Sequence, residues 1–383
     1  MLFLSTLIVV FSFILTFSLS GCGQAGSPVE EETSQEEATD DPEEISEEAD
    51  ESTEDTSEET TENTEEDPED NSSLANMEIT GNINILSGLE LSDSVQNSRP
   101  VIVMIGNSTP ARPQSGLNNA DIVFEVVDEY GITRCVAIFS SYDAEIIAPC
   151  RSARIYYAEI ARSFDPIYTF WGTYEDAYPV IKNLDMDFLD ANSAADVPSA
   201  WRDHTRYDIG WLSGRLSTLG IKDDAVKHGY SLEGGQSPMK FKLDALEPDR
   251  GSVKDVSINI SIDDYLVDFT YDKKENYYLK SVAGSPHIDF DSGEQLRVNN
   301  VIVLVTDIGG PIDQYGHMVV RTTGTHEIGQ AYFFMDGNVV EGSWGRNSAF
   351  DAFEFSDLEG DPVLFNRGST WILMIPSIDR LIY

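Results

Sequence analysis

Arginine is concentrated in one stretch of a chain that is otherwise acidic. Between positions 99 and 206 there is a single lysine, Lys182, against eight arginines, at positions 99, 112, 134, 151, 154, 162, 202 and 206. A guanidinium group binds carboxylate or phosphate through two parallel hydrogen bonds, whereas a lysine ammonium is a hydrated point charge. The stretch is therefore predicted to bind an anion, unless its arginines form internal ion pairs with Asp121, Glu125, Asp128 and Glu129.

Three short motifs supply the candidate ligand-binding residues. A loop rich in proline precedes the second predicted strand, the third predicted strand starts just after Gly131, and the sequence Arg-Ser-Ala-Arg opens a predicted helix. A helix N-terminus already attracts anions through its unpaired N–H groups and partial positive charge. The candidates in these motifs are Arg112, Gln114, Thr133, Arg134, Arg151, Ser152 and Arg154.

Glu125 and Asp128 are the candidate catalytic residues. They lie at the end of an apolar strand, where α/β folds place groups that contact ligands. Two carboxylates can act as general acid and base on a glycosidic bond, so a cell-wall hydrolase is one interpretation. His204 could act as a base, although a surface or capping histidine is the simpler interpretation. Whether the protein is an enzyme stays open.

Several common catalytic and cofactor motifs are absent from the sequence. It has no G-x-S-x-G, no P-loop, no H-E-x-x-H, no dinucleotide-binding fingerprint and no Cys/His metal cluster. We therefore expect neither a cofactor nor a metal ion. Cys135 lies in an apolar strand without a histidine nearby in sequence, which makes it a poor nucleophile.

The N-terminus has the pattern of a lipoprotein signal. An apolar run ends at Leu19-Ser20-Gly21, directly before Cys22. This run is short for a membrane-spanning helix, which needs about 20 apolar residues, but its length is typical of a secretory signal. The pattern predicts a signal peptide over residues 1–21 and a lipid on Cys22 that anchors the chain to the outer face of the cytoplasmic membrane. A retained transmembrane helix is the alternative, since no lysine or arginine precedes the run.

An acidic segment follows the predicted lipid anchor. The formal net charge of the chain is -44, and residues 30–70 are almost entirely Glu, Asp, Ser and Thr. Such a composition buries too little apolar surface to offset the entropy of ordering. Residues 22–78 are therefore predicted to be a disordered linker that holds the remainder away from the membrane; an acidic tail that docks a basic partner or Ca²⁺ is the alternative. The excess of acidic residues argues against nucleic acid as a ligand.

The rest of the chain is predicted to have an α+β fold. An α/β lobe over residues 98–232 has strands at 101–105, 121–127, 134–139 and 167–171, with helices at 152–164, 174–184 and 209–219. Residues 233–251 are a candidate connection, and a β-rich C-terminal domain follows over residues 252–383. Asp336-Gly337 between two strand patterns predicts a hairpin turn.

Cys135 and Cys150 flank a predicted turn. Antiparallel strands on the two sides of this turn would bring the two thiols together, and a disulfide is permitted outside the cytoplasm. The alternative is that both cysteines are small buried apolar residues.

Longer motifs resemble those of a known family. In the first lobe they are Arg99–Ile105, Ala111–Leu117, Ala120–Glu125, Gly131–Arg134 and Arg151–Arg154, and in the second Ser285–Asp289, Asn299–Val303, Gly342–Trp344 and Gly368–Ile372. Over roughly residues 99–376 the chain resembles the YerB-type lipoproteins, which are built from a domain of unknown function and its C-terminal partner domain. The resemblance implies a lipid-anchored, extracytoplasmic protein of Gram-positive bacteria, with no established activity. The chain departs from the family pattern at Cys135, at Cys150 and at Thr205-Arg206, which weakens any role for His204.

Together these observations predict an accessory or binding protein of the cell envelope. The membrane is its partner through the lipid on Cys22, and peptidoglycan or a wall polymer is the candidate ligand, whereas a protein partner is not specified. A hydrolase that uses Glu125, and a purely structural or protein-docking lipoprotein whose arginines are all paired internally, are the alternatives.

Overall fold

A computed structural model describes residues 77–91, 98–206 and 209–383. The predicted signal peptide, Cys22 and almost all of the predicted linker lie outside the described residues. Within the described ranges, no helix has both the length and the apolar character needed to cross a membrane.

Three α-helices occur in the described part of the chain, all of them in its first half, by which we mean the described residues up to Lys242; the residues after Lys242 are the second half. The helices are α1 (Ile155–Arg162), α2 (Ala177–Asn183) and α3 (Thr218–Lys227).

The strands of the first half are short and separated by loops. In chain order they are β1 (Val101–Gly106), β2 (Ile122–Val127), β3 (Thr133–Phe139), β4 (Ile167–Phe170), β5 (Phe188–Asp190), β6 (Trp201–Arg202), β7 (Gly214–Arg215) and β8 (Phe241–Lys242).

The second half of the chain consists mainly of strands. They are β9 (Asp255–Asn259), β10 (Leu266–Asp272), β11 (Tyr277–Val282), β12 (Ser285–Pro286), β13 (Arg297–Val298), β14 (Asn300–Val305), β15 (Ile308–Gly309), β16 (Val319–Val320), β17 (Gly324–Met335), β18 (Asn338–Arg346), β19 (Glu354–Asp357), β20 (Phe365–Asn366), β21 (Thr370–Ile375) and β22 (Leu381–Ile382).

One ten-stranded sheet contains strands from both halves of the chain, in the order β19-β18-β17-β14-β21-β2-β3-β1-β4-β5. The halves meet where β2 pairs in parallel with β21, with Ile122 opposite Thr370. Every residue of β1, β2, β3 and β21 is buried, which explains why most residues of these strands are apolar. The α/β part and the β-rich part that the sequence predicts therefore share one sheet.

A second sheet, of six strands, has the order β12-β11-β10-β9-β22, with β13 also paired to β11. In β10 and β11 buried residues alternate with partly exposed ones, as expected for a sheet with one covered face.

Most of the predicted elements agree with the structure, and one helix does not. The helix predicted at 209–219 is wrong, because residues 210–212 form a 3₁₀ turn and residues 214–215 form β7. The helix of this region, α3, instead begins after Ser217, whose hydroxyl accepts a hydrogen bond from the backbone N–H of Gly220. Gly210 and Gly214 also make the earlier segment a poor helix former.

The hairpin turn predicted at Asp336-Gly337 is confirmed. It joins β17 to β18, and both residues have left-handed backbone angles, with φ of 52° and 66°. This conformation is the one that Asp-Gly turns favour in two-residue hairpins.

Candidate functional site

Three arginines line an open cavity of about 620 Å³ at the end of the main sheet, where β1 and β2 finish and β3 begins. We call this cavity the arginine pocket and define it by Arg134, Arg151 and Arg154. Arg134 is the second residue of β3, and Arg154 directly precedes α1. Arg151 is held between two strands, because its backbone N–H donates to Met104 and its carbonyl accepts from the N–H of Trp171.

Two of these arginines are paired with acidic residues. The carboxylate of Asp128 lies 2.5 Å from Arg134 Nε and 3.3 Å from Arg154 Nε. Glu129 completes the cluster, with 3.0 Å from its Oε2 to Arg134 Nη2 and a further ion pair to Arg154. All four side chains are largely buried. Their charges balance, so Arg134 and Arg154 have the internal ion pairs that the sequence analysis gives as the alternative to ligand binding.

Arg151 differs from its two neighbours. Among the described residues, no acidic side chain lies within ion-pair distance of its guanidinium group. Its Nη1 donates to the carbonyl of Trp211 at 2.9 Å, and the guanidinium lies 4.6 Å from the centre of the Trp211 ring. Burial and the charge of Arg134 lower the pKa of Arg151 to about 10, so the side chain is still positive at neutral pH. Arg151 is therefore the arginine of this pocket that has no ion-pair partner among the described residues.

Aromatic and histidine side chains form another part of the wall of the arginine pocket. Tyr174, Tyr315 and His317 line it, with the His317 and Tyr174 rings 4.7 Å apart. His317 lies 2.5 Å from Asp313 through Nδ1 and 3.5 Å from Glu129 through Nε2. The wall thus places flat rings beside the charged groups.

The loop that carries Tyr315 and His317 is held closely against the first half of the chain. Tyr130 donates from its hydroxyl to the carbonyl of Gln314 at 3.0 Å. Gly316 has a left-handed φ of 79°, and a Cβ there would lie 2.8 Å from the Tyr130 ring. Only glycine allows this approach without displacement.

A second cavity, of about 410 Å³, adjoins the arginine pocket and shares Arg134 and Arg151 with it. Asn107, Thr133 and Trp211 are among its lining residues. Because Arg151 reaches both spaces, a ligand in either one would meet the same unpaired charge.

Behind the second cavity lies a closed ring of buried polar side chains. Asn107 donates to Glu125 at 2.8 Å and accepts from Gln114 at 2.7 Å, and Gln114 contacts His287 Nε2 at 2.7 Å. Lys280 closes the ring, with 3.0 Å from its Nζ to His287 Nδ1 and 3.2 Å to Glu125 Oε2. All five side chains are at most 2% exposed.

The protonation of this ring follows from its burial. Burial lowers the pKa of Lys280, and the adjacent Glu125 carboxylate opposes that shift. Burial and the charge of Lys280 lower the pKa of His287 well below its usual value. A neutral His287 accepts from Lys280 at Nδ1 and donates from Nε2 to the carbonyl oxygen of Gln114, which satisfies every member of the ring.

Comparison with known proteins identifies the two halves of the chain. A protein of unknown function (DUF3048) N-terminal domain matches residues 86–220, and the DUF3048 C-terminal domain matches residues 256–372. The chain belongs to the DUF3048 family. The "Putative lipoprotein YerB" of Bacillus subtilis (strain 168) is 29% identical over 315 residues, which cover 77% of this chain and 86% of that protein.

A solved structure has the same fold as this DUF3048 chain. The crystal structure of the YerB protein from Bacillus subtilis matches with a TM-score of 0.65 and 28% sequence identity, covering 78% of this chain and 98% of that one. The relative's name supports a lipoprotein, and neither the family description nor the relative's name states an activity.

The structure of this DUF3048 chain separates the predicted ligand-binding residues into groups. Arg134, Arg151, Ser152 and Arg154 line the arginine pocket, and Thr133 lines the adjoining cavity.

Two other candidates lie elsewhere. Arg112 donates to the carbonyl of Asp264 at 2.9 Å and lies 5.0 Å from the centre of the Tyr265 ring. Gln114 is fully buried in the polar ring and has no surface for a ligand.

The geometry does not support the two predicted catalytic carboxylates. Glu125 is fully buried, and its oxygens accept from Asn107, Thr133 and Trp371 in addition to the ion pair with Lys280. Asp128 is 1% exposed, and both of its oxygens are in ion pairs. A general acid or base must reach the substrate. Glu125 lines neither cavity, and Asp128, which lines the second cavity, has both of its oxygens held by arginines. His204 is exposed and does not line the pocket.

The predicted disulfide is wrong, because Cys135 and Cys150 are both free and buried. Ile105 of β1 pairs with Cys135 on one side and with Cys150 on the other. With β1 between them, the two Cα atoms are separated by two strand spacings, or about 9–10 Å, which is beyond the reach of a disulfide. Burial raises the pKa of both thiols, so both are neutral.

Sequence analysis missed Lys280, His287, Tyr174 and His317. Lys280 had a detectable signal: alternation along β11 places it on the same face as Tyr278 and Val282, which are buried. A lysine on the buried face of a strand needs a partner. Tyr174 and His317 are far apart in the sequence and give no such signal. Among the described residues, no group of three or more His, Cys, Asp or Glu side chains is arranged to hold a metal ion.

Proposed function

We propose that this protein is a lipid-anchored binding protein on the outer face of the membrane. It holds an anionic fragment of the cell envelope, from peptidoglycan or a wall polymer, in the arginine pocket. The observation that carries this proposal is Arg151, a cation without an acidic partner among the described residues, in an open cavity.

The division of roles among the arginines supports this function. Arg134 and Arg154 are occupied by Asp128 and Glu129, and these ion pairs hold the base of the pocket rigid. Arg151 is then the group that meets the ligand. A hydrogen bond to a charged group contributes about 1.5–3 kcal/mol, which is sufficient for one guanidinium to dominate recognition.

The remaining walls suit a sugar. Tyr174, Tyr315 and Trp211 offer flat apolar faces together with polar edges, and such amphipathic rings combine apolar contact area with hydrogen bonding. A cavity of about 620 Å³ falls within the range of roughly 300–1,000 Å³ that is typical of small-molecule sites. An anionic sugar fragment matches both the rings and the charge.

Replacing Arg151 by Gln is expected to weaken binding of such a fragment by about 10- to 100-fold, because the charged hydrogen bonds to the ligand are lost. Isothermal titration of the purified protein with muropeptides, and separately with glycerol phosphate oligomers, measures the effect and distinguishes carboxylate from phosphate ligands. An uncharged chitin oligosaccharide should bind weakly to both forms of the protein.

Arg202 provides the matched control for this experiment. It also stacks on a tryptophan, with 4.2 Å to the centre of the Trp171 ring, but it does not line either cavity. Arg202→Gln should bind as the wild type does. Equal binding by the Arg151→Gln protein, or no binding of any anionic fragment by the wild type, contradicts the proposal.

The anchor requires a separate test. Cys22→Ser is expected to abolish incorporation of a labelled fatty acid and to shift the protein from the membrane fraction to the medium. Immunoblots of the two fractions measure the shift, with Cys135→Ser as the control that should stay in the membrane fraction. Retention of the Cys22→Ser protein in the membrane, without label, would favour an uncleaved transmembrane helix.

A further inference from the structure

A lysine, an asparagine and an aspartate meet in the interior at a place that is separate from the arginine pocket. Lys242 is the last residue of β8 and Asn366 is the last residue of β20, and these two strands pair in parallel with Lys242 opposite Asn366. Asp336, from the turn between β17 and β18, reaches both side chains.

The three side chains are in contact with one another. Lys242 Nζ lies 2.7 Å from Asn366 Oδ1 and 2.5 Å from Asp336 Oδ2. Asn366 Nδ2 lies 2.7 Å from Asp336 Oδ1. Because a carbonyl bond is about 1.23 Å long, the lysine nitrogen is within about 4 Å of the amide carbon of Asn366, close to the separation from which bonds form.

Water is largely excluded from this cluster. Asn366 is fully buried, Asp336 is 5% exposed and Lys242 is 9% exposed. The neighbouring strand residues Phe241 and Phe365 are also buried. Burial raises the pKa of Asp336, but its hydrogen bond and ion pair with Lys242 and the hydrogen bonds from Asn276 and Asn366 outweigh that effect, so the pKa of Asp336 is lowered. Asp336 therefore rests as a carboxylate, which is the form that can accept a proton.

Asp336 is fixed in its position by other groups. Its Oδ1 also accepts hydrogen bonds from Asn276 Nδ2 at 2.8 Å and from the backbone N–H of Ala245 at 3.2 Å. One oxygen therefore stays on the lysine and the other on the amide nitrogen of Asn366. A carboxylate in this position can carry a proton from the first group to the second.

We propose that Lys242 and Asn366 are a self-modification site, at which the chain forms an amide cross-link between the two side chains. Asp336 Oδ2 accepts a proton from the lysine, and the free Nζ electron pair attacks the amide carbon of Asn366. The new Nζ–Cγ bond forms and the Cγ–Nδ2 bond breaks, while Asp336 returns the proton to the leaving nitrogen, which departs as ammonia. Asp336 then relays the second Nζ proton to this ammonia, which becomes an ammonium ion. A lysine ammonium and a carboxamide thus give a secondary amide and an ammonium ion, and no other reactant is required.

The reaction requires a side-chain amide in addition to a buried lysine beside a carboxylate, and the buried Lys280 lacks such an amide. Its Nζ contacts Glu125, His287 Nδ1 and the Trp371 ring, and among the described residues this nitrogen makes no hydrogen bond to a side-chain amide. Lys280 therefore has no group to attack and should stay unmodified.

The cross-link has a consequence for the whole fold. It joins residue 242, which lies between the two DUF3048 matches, to residue 366 within the second match. Closing a loop of this length reduces the entropy of the unfolded chain, as a disulfide does. The bond would resist unfolding outside the cell, and Cys135 and Cys150 supply no disulfide.

Peptide mapping of the full chain, purified in detergent and digested with trypsin, tests the cross-link. We expect a branched peptide in which Phe241–Arg250 is joined to Asn347–Arg367, with the mass of the two peptides less one ammonia, about 17 Da. Cleavage after Lys242 should be lost, since its side chain is an amide. Separate linear peptides Leu243–Arg250 and Asn347–Arg367 in the folded wild-type protein would overturn the proposal.

Two lysine variants sharpen the result. Lys242→Arg should remove the branched peptide, whereas Lys240→Arg, a change at the exposed lysine two residues earlier, should leave it intact. Loss of ammonia within a linear Asn347–Arg367 peptide would show that Asn366 cyclises on its own backbone, and would also overturn the proposal. If Lys242→Arg does not fold, the wild-type peptide map still decides the question.

Discussion

Replacing Lys280 by Met is expected to lower the free energy of unfolding by about 3–5 kcal/mol, because it leaves the buried Glu125 carboxylate without its counter-ion. Both side chains are fully buried, 3.2 Å apart. The substitution also removes the donor to His287 Nδ1 and the contact between Nζ and the Trp371 ring, which is 4.7 Å away. Urea unfolding of the wild type and the variant, followed by far-UV circular dichroism, measures the difference.

Two comparisons show whether the loss comes from the buried charge. The double variant Lys280→Met/Glu125→Gln removes both charges and should recover part of the lost stability. Lys274→Met breaks a pair whose two side chains are 79% and 51% exposed, and should have no measurable effect. A change below about 1 kcal/mol for Lys280→Met would mean that Glu125 is neutral or hydrated in the folded protein.

The second large loss of stability is expected for a substitution at the base of the arginine pocket. Asp128→Asn keeps the shape of the side chain but removes the carboxylate that contacts Arg134 Nε and Arg154 Nε. Glu129 is then the remaining acid for two buried guanidinium groups. We expect the free energy of unfolding to fall by about 3 kcal/mol or more, measured by the same urea titration.

Asp143 offers the matched control for Asp128. It pairs with Lys222 at 2.8 Å, and its side chain is 46% exposed. Solvent screens such a pair, so Asp143→Asn should cost at most about 1 kcal/mol. Equal losses in the two variants would indicate that the arginine cluster is hydrated, and that Arg134 and Arg154 are as available to a ligand as Arg151.

Local sequence patterns predicted the main strands, because each pattern depends only on residues that are close together in the sequence. The runs Val101–Gly106 and Thr370–Ile375 are apolar at almost every position, and both are central strands. The Asp336-Gly337 turn follows from two residues alone. The helix predicted at 209–219 failed because apolar spacing was given more weight than the two glycines and the capping Ser217.

The candidate site was predicted in part. The concentration of arginine predicts a shared site, and Arg134, Arg151 and Arg154 line one cavity because β3 and the loop before α1 lie on the two sides of β1, whereas Arg112 lies elsewhere. It could not show that Asp128 and Glu129 pair with two of the three. The same limit explains why the predicted disulfide is wrong. A turn between Cys135 and Cys150 in the sequence does not reveal that β1 lies between the two residues in the sheet.

The sequence by itself determined the chemical character of each segment: an acidic N-terminal stretch, buried apolar strands, and an arginine-rich part of the first half. Membership in the DUF3048 family also follows from sequence motifs. Only the tertiary structure decided which groups meet, such as Glu125 with Lys280, Arg134 with Asp128, and Lys242 with Asn366. The physical reason is that composition and periodicity act over a few residues, whereas these contacts depend on the order of strands that are up to hundreds of residues apart.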